Sequence, residues 1–222
     1  MTISTLGKAV AASAAALIGF ANAATLIPQG DTAFVNQSIG TALNGTDPNN
    51  AFPTIGDPLL SFGPSDAPDL SAATSILGDW LDVPPNFATG SGWSATEVAA
   101  PTNWTVGTEI AMVYAFDAAE DFTNAVASIG VDNGVFVWLN GSFIGGELAP
   151  GGAPVGEYSF SLGDIGMGTH YLAVLLEDHG GATGFNLEVT ADAVRDMDPI
   201  PLPAGAVLFA SGLALLRRGR RS

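Results

Sequence analysis

The sequence feature that most constrains the fold is a pair of apolar runs, Val135–Leu139 and Ser142–Gly145, that meet at Asn140 and Gly141. An Asn-Gly pair in this position favours a tight hairpin, because a type I′ turn needs positive φ at both central residues. The first run is apolar at consecutive positions, so both of its faces are expected to be covered. The pattern therefore predicts two antiparallel strands with a two-residue connection.

Other short runs with β-branched and aromatic content recur along the chain, with turn residues between them. In Glu157–Leu162, the residues Tyr158, Phe160 and Leu162 alternate and would share one face. This spacing predicts an all-β fold, an antiparallel β-sandwich of the jelly-roll type. The further predicted strands are Glu109–Phe116, Ala127–Val131, Glu157–Leu162, His170–Glu177 and Gly184–Thr190.

Residues 25–75 are rich in Gly, Pro, Asn and Asp, which predicts edge strands and long loops. Ser71–Asp82 is the one helix candidate in the body of the chain. Residues 24–198 are long enough to bury a core as a single domain. The chain has no cysteine, so this domain must be stable without disulfides.

The N-terminus has the layout of a secretory signal. Lys8 is followed by the short apolar run Ala9–Phe20, and Ala21 and Ala23 form a small-x-small cleavage site. Residues 1–23 are therefore predicted to be a signal helix. Export machinery and a signal peptidase are the implied partners.

The C-terminus has three parts, read in order. The motif Ile200, Pro201, Leu202, Pro203 and Ala204 precedes the apolar run Gly205–Leu216, and an arginine cluster beginning with Arg217 and Arg218 follows. Such a tail can hold an exported protein at a membrane, with the arginines on the cytoplasmic side.

This tail resembles the PEP-CTERM class of bacterial sorting signals, and closely its VPLPA-type variant, with Ile200 in place of valine. The resemblance covers residues 199–222. It implies a hydrophobic sorting helix, an exosortase-like membrane peptidase as partner, and a cell-envelope or extracellular destination reached through transient attachment to the inner membrane. Whether the tail is cleaved is left open.

The charge of residues 24–198, the body of the chain between the two terminal segments, excludes several classes of partner. All 22 acidic residues lie between Asp31 and Asp198, and Arg195 is the one basic residue outside the terminal segments. Such a body lacks the cationic groups that hold nucleic acid, and anionic membrane surfaces repel it. The acidity indicates either solubility in a saline habitat or specific cation binding.

Val131–Gly141 and Gly168–Val174 resemble galactose-binding-like jelly rolls and the related PA14 type, which supports carbohydrate binding by analogy only. PA14-like lectins coordinate calcium through two adjacent acidic residues near this point, here Asp132 and Asn133. Calcium takes about six to eight oxygen ligands, so Glu177 or Asp178 would have to join them. The alternative is a plain turn, in which Asp132 bonds its own backbone and Gly134 supplies positive φ.

The loop that begins Glu177, Asp178, His179 has the densest group of side chains in the sequence that can bind a metal or transfer protons. Carboxylates beside an imidazole can bind a metal or ligand, or transfer protons. Asp178 and His179 are therefore candidate ligand-binding residues. The alternative is a structural glycine-rich loop, because neighbours on a strand point to opposite faces.

The tryptophans divide into core and surface candidates. Trp93 lies in a Gly/Ser-rich stretch and is either a core edge or a platform on which a sugar ring stacks. Trp138 and Trp104 are expected in the core, with Trp104 opening a strand. His170 is expected to be structural.

The sequence contains no nucleophile elbow, phosphate loop, paired-His motif or Cys nucleophile. No spacing singles out a glycosidase pair among Glu109, Asp117 and Glu120. We therefore predict an exported, non-catalytic protein of the bacterial surface or extracellular matrix that binds carbohydrate with calcium. The alternative is a purely structural matrix component without a small ligand, and a glycan-active hydrolase is a remote third.

Overall fold

The computed structural model describes residues 23–57, 63–148 and 151–194. In these residues the regular secondary structure is almost entirely β-strand, with one short helix, α1 (Thr74–Leu77), and the 3₁₀ turns Ser71–Ala73 and Phe87–Thr89. The strands are β1 (Ala23–Ile27), β2 (Thr32–Gly40), β3 (Val98–Ala99), β4 (Glu109–Ala118), β5 (Phe122–Asp132), β6 (Gly134–Leu139), β7 (Ser142–Leu148), β8 (Tyr158–Ile165), β9 (Gly168–Glu177) and β10 (Gly184–Ala193).

The strands form two antiparallel sheets. One has the order β1-β10-β5-β8 and the other the order β3-β2-β4-β9-β6-β7. The predicted β-sandwich is confirmed, and the seven strands predicted from residue 109 onward correspond to β4 through β10.

The first part of the chain differs from the prediction in one respect. β1 lies at a sheet edge as expected, but β2 is interior, because it pairs with β3 on one side and β4 on the other. The helix candidate Ser71–Asp82 shortens to a 3₁₀ turn and α1.

An inner core fills the space between the two sheets. It is formed by alternate residues of the facing strands, as a strand with one buried face requires. Representative members are Ile110, Met112, Leu172, Val174, Val135 and Val137 from one sheet, and Ile129, Val131, Phe160, Phe185 and Leu187 from the other.

An outer core lies on the opposite face of the six-stranded sheet. Here residues 41–57 and 70–93, which we call the covering layer, pack against the sheet through Leu43, Phe52, Leu77 and Trp80. Phe136 and Trp138 of β6 belong to this outer core, whereas Val135 and Val137 belong to the inner one. The prediction that this strand is covered on both faces is therefore confirmed.

The β6–β7 connection is the predicted hairpin turn. Asn140 has a φ of 47° and Gly141 a φ of 76°, so both central residues are left-handed. A Cβ at Gly141 would also lie 2.5 Å from the carbonyl oxygen of Leu81 in the covering layer. Gly141 is thus required both by the turn and by the close approach of a neighbouring backbone.

Two predicted segments lie outside the described residues. They are the signal segment before Ala23 and the sorting tail 199–222. In the part of the chain that is described, no helix is long and apolar enough to cross a membrane.

We expect Gly141→Ala to lower the free energy of unfolding by more than Gly30→Ala. Gly30 has a similar φ of 73° but open space around a Cβ. Both variants should lose about 1–2 kcal/mol to the left-handed backbone, and Gly141→Ala a further 1–3 kcal/mol, roughly, to the clash with Leu81. Urea unfolding of the two variants measures the difference, and equal losses would contradict the role of the covering layer.

Candidate functional site

A group of mostly buried polar residues lies at one end of the sandwich. We call it the acidic cluster and define it as Glu109, Asp132, Asn133, Glu177, Asp178 and His179. Five of these residues are almost inaccessible to solvent, with exposures of 0% for Glu109, Glu177 and Asp178, 2% for His179 and 3% for Asn133. Charged residues are almost never fully buried without a partner, so this cluster is the most unusual feature of the molecule.

Strand register brings the two glutamates together. β4 and β9 pair Ile110 with Leu176, so the next residues, Glu109 and Glu177, lie opposite one another on adjacent strands. Opposite residues of an antiparallel pair have Cβ atoms about 5 Å apart and point to the same face. Ala111 and Leu175, two positions further along, belong to the outer core, so both carboxyl groups lie on the side of the covering layer.

Gly134 makes room for Glu177. It is paired with Glu177 across β6 and β9, and a Cβ at this position would lie 2.9 Å from Glu177 Oε2. Gly134 does not have positive φ. The expected role of Gly134 in a plain turn is therefore wrong, and a side chain here would instead crowd Glu177 Oε2 and also Leu148 Cγ, which lies 3.0 Å from the Cβ position.

His179 connects Glu177 to the β5–β6 connection. Its Nδ1 lies 2.8 Å from Glu177 Oε1, and its backbone N–H donates to Asn133 Oδ1 at 3.2 Å. Asn133 in turn donates through Nδ2 to Asp132 Oδ1 at 2.7 Å, across a cis peptide bond. The Asp132 carboxylate is thus held by the neighbouring amide, and the carbonyl oxygen of Asn133 is already used.

Asp178 is held by backbone groups. Its Oδ2 accepts from the N–H of Gly107 and from the N–H of Gly180 at 3.2 Å. These contacts attach the β9–β10 loop to the segment that leads into β4. They leave the other carboxylate oxygen, Oδ1, unused.

Glu109 meets Asn44 of the covering layer. With its amide nitrogen toward the carboxyl group, Asn44 donates to Oε1 at 2.5 Å and to Oε2 at 3.1 Å. This contact joins the covering layer to the acidic cluster.

Three buried polar atoms of the cluster have no hydrogen-bond partner among the described residues. They are Glu177 Oε2, Asp178 Oδ1 and His179 Nε2. A buried polar atom without a partner costs about 1–3 kcal/mol, and more when it is charged. The cluster therefore has unused capacity for a proton, a water molecule or a cation.

The cluster holds its protons tightly. Burial raises the pKa of Glu177 to about 9, and the charges of Glu109, Asp178 and Asp132 act in the same direction. Burial likewise raises the pKa of Glu109 to about 8, with Asp178 contributing. Burial also raises the pKa of Asp178, against two backbone hydrogen bonds that lower it, and burial is the main cause that raises the pKa of Asp132. None of the described residues is Lys or Arg. In this part of the chain, therefore, no lysine or arginine side chain lowers the pKa values of these carboxyl groups.

The structure brings the four predicted calcium ligands, Asp132, Asn133, Glu177 and Asp178, into one cluster and adds Glu109 and His179. They do not form a ready coordination sphere. Among the residues that the structure describes, no group of three or more His, Cys, Asp or Glu side chains is placed to hold a metal ion.

Trp93 lies apart from the predicted ligands Asp178 and His179. Its ring packs against Phe87, with centroids 4.6 Å apart, and its Nε1 donates to the carbonyl oxygen of Leu77 at 3.0 Å. The half-buried Trp93 lines a shallow groove, whose other lining residues are Val35, Gln37, Ser38, Gly92, Ser94, Val98, Ala99 and Pro101.

The other aromatic and histidine positions are structural. Trp138 is in the outer core. Trp104 packs against the inner core but precedes β4, so the expectation that it opens a strand is wrong. His170 lies between Asn140 Nδ2, 2.9 Å from its Nδ1, and the Gly166 carbonyl oxygen, 2.7 Å from its Nε2.

No protein-family model matches the chain, and neither does any curated protein sequence. Among solved structures, the chain is similar to two of a GH2 β-galacturonidase from Eisenbergiella tayi, one bound to galacturonate and one to glycerol. For both, the TM-score is 0.40 and the identity 12%, over 78% of this chain and 24% of the enzyme. The chain thus spans about a quarter of that enzyme's length, and similarity at this level says nothing about its activity.

We expect the free energy of unfolding of the full chain, measured in a chelator, to fall as the pH rises from about 5 to about 9. Glu109 and Glu177 lose their protons near the ordinary glutamate pKa when unfolded, but keep them up to about pH 8 and 9 when folded. Their contribution is therefore complete below the unfolded pKa and is lost as the pH rises through the folded pKa. Each carboxyl group contributes at most about 1.4 kcal/mol per pH unit.

The matched variants are Glu177→Gln and Glu120→Gln. Glu120 is exposed in the β4–β5 turn, so its replacement removes the same charge without touching the cluster. The free energy of unfolding should fall less steeply with rising pH in Glu177→Gln than in the Glu120→Gln control. Identical slopes for the two variants would show that the cluster does not set the pH dependence.

Proposed function

We propose that this chain is an exported, non-catalytic β-sandwich module of the bacterial surface or extracellular matrix, and that its acidic cluster takes up calcium. The observation that carries the proposal is the pair of buried carboxylate oxygens without a partner among the described residues, Glu177 Oε2 and Asp178 Oδ1. A divalent cation is an alternative to protons for neutralising such groups, and oxygen ligands are those that calcium prefers.

The residues that would hold the ion are Glu177, Asp178, Glu109 and Asp132. Asn133 fits less well, because its side-chain oxygen already accepts the N–H of His179. Since the carboxylates do not converge as they stand, binding requires Glu177 and Asp178 to turn toward a common point.

Because the cluster is buried, a bound ion would stabilise the module and would not be accessible to a ligand. Glu109, Glu177 and Asp178 are 0% exposed, so a sugar hydroxyl does not reach them in this arrangement. The same burial argues against a glycosidase pair at Glu109 and Glu177, because such carboxyl groups must flank a bound substrate. At this cluster, the structural-component alternative is therefore favoured over calcium-mediated sugar binding.

The export part of the proposal is supported by the sequence of both termini. Cleavage after Ala23 would remove only the first residue of β1, so processing would leave the sandwich otherwise intact. The tail 199–222 would bring the protein to an exosortase-like peptidase at the inner membrane. The sandwich would be of the jelly-roll type.

Carbohydrate binding is a second candidate function, and the Trp93 groove favours it. An aromatic side chain beside the exposed polar residues Gln37 and Ser38 matches the mixture of apolar and polar contacts that ligand sites use. This candidate site does not need calcium.

We expect calcium to raise the melting temperature of the full chain relative to the same protein in EDTA. At about a hundred times the dissociation constant, calcium should add about 2.7 kcal/mol, which is about 5–10 °C for a domain of this size. Glu177→Gln and Asp178→Asn should abolish the shift, whereas Asp82→Asn, at an exposed position outside the cluster, should retain it. An absent shift, or one that both cluster variants retain, would contradict calcium uptake.

If the Trp93 groove binds sugars, Trp93→Ala should weaken binding to a responsive member of a bacterial polysaccharide panel by about tenfold, the loss expected for one stacking contact. Because Trp93→Ala also removes packing, Gln37→Ala serves as a surface variant of the same groove and should weaken binding without lowering the melting temperature. Met167→Ala, exposed outside the groove, is the control. Unchanged binding in both groove variants would exclude this site.

A further inference from the structure

Both ends of the described chain lie at the same end of the sandwich. β1 and β10 are antiparallel neighbours, and Ala23 pairs with Asp192. β10 ends one residue later at Ala193, which pairs with Phe122 at the start of β5. The chain therefore enters β1 and leaves β10 side by side, at what we call the terminal pole.

The acidic cluster lies at the opposite end, which we call the cluster pole. β10 begins at Gly184, paired with Asp132, and Asp132 connects directly to β6 through Asn133. In the other sheet, β4 runs from Glu109 in the cluster to Ala118 at the far end. At about 3.3 Å per residue, the length of β10 separates the two poles by roughly 30 Å.

We infer that the module, held by its C-terminal segment, presents the cluster pole away from the membrane. The inference rests on the proposed function, in which residues 199–222 hold the protein at the membrane. The contact surface offered to the surroundings is then the loops around the acidic cluster, not the faces of the sheets. The divalent cation of the proposed function would then be taken up at the pole that faces away from the membrane.

The length of the tether limits the alternatives. The apolar run of the tail begins at Gly205, so about ten residues connect it to Val194, the last described residue. A fully extended segment of this length spans at most about 35 Å. The cluster pole would reach the membrane only if that segment ran straight along the whole side of the sandwich.

Single-cysteine labelling tests the orientation, because the chain has no cysteine of its own. Ala182→Cys lies in the loop at the cluster pole and Ala119→Cys in the β4–β5 turn at the terminal pole, and both alanines are exposed. The full-length variants are reconstituted into phosphatidylcholine vesicles that carry a small fraction of acceptor-labelled lipid. They are then labelled with a membrane-impermeant donor maleimide.

The separation of roughly 30 Å predicts energy transfer to the membrane at least about twofold stronger from Ala119→Cys than from Ala182→Cys. Equal transfer from the two positions, or stronger transfer from Ala182→Cys, would overturn the inferred orientation while leaving membrane attachment intact. Flotation of the same samples distinguishes a wrong orientation from a failure of membrane attachment. If the full chain does not float with the vesicles, the proposed attachment is wrong and the orientation falls with it.

Discussion

The structure of the candidate site depends on one constraint: Glu177 is buried beside Glu109 in a part of the chain that contains neither Lys nor Arg. Glu177 Oε1 has the His179 imidazole as a partner at 2.8 Å, but Glu177 Oε2 has none among the described residues. A buried carboxylate that is only partly satisfied costs several kcal/mol, so its charge has to be removed or balanced. Protons can do this, and so can a cation bound to the free carboxylate oxygens. Burial raises the pKa values of Glu109 and Glu177 for the same reason, and the lack of a side chain at Gly134 leaves room for the Glu177 carboxyl group.

The covering layer explains why these acids are buried at all. Without it, the outer face of the six-stranded sheet would be open to water, and the carboxyl groups of Glu109 and Glu177 would be solvated. With it, Phe136 and Trp138 enter a second core, and Asn44 reaches Glu109. A closed site of this kind suits an ion that stiffens the module, whereas an exposed one would suit an ion that binds a sugar.

The sequence was most informative where the signal was local. The alternating apolar residues of β8 and the Asn140-Gly141 turn predicted strands that the structure contains. The covering layer was not predicted, because its turn-rich sequence shows no periodic pattern and its burial depends on contacts with distant strands. Glu109 was missed as a cluster member for a related reason. Its position opposite Glu177 follows from the register of β4 and β9, which no local pattern indicates.

Equilibrium dialysis of the chelator-treated full chain against radioactive calcium measures whether the acidic cluster binds one divalent cation. We expect saturable binding of a single ion per chain at fixed ionic strength, and we expect Glu177→Gln to abolish it. Weak, non-saturating binding that Glu177→Gln leaves unchanged would contradict this expectation, and would show that the acidity of the protein attracts only a diffuse cloud of cations.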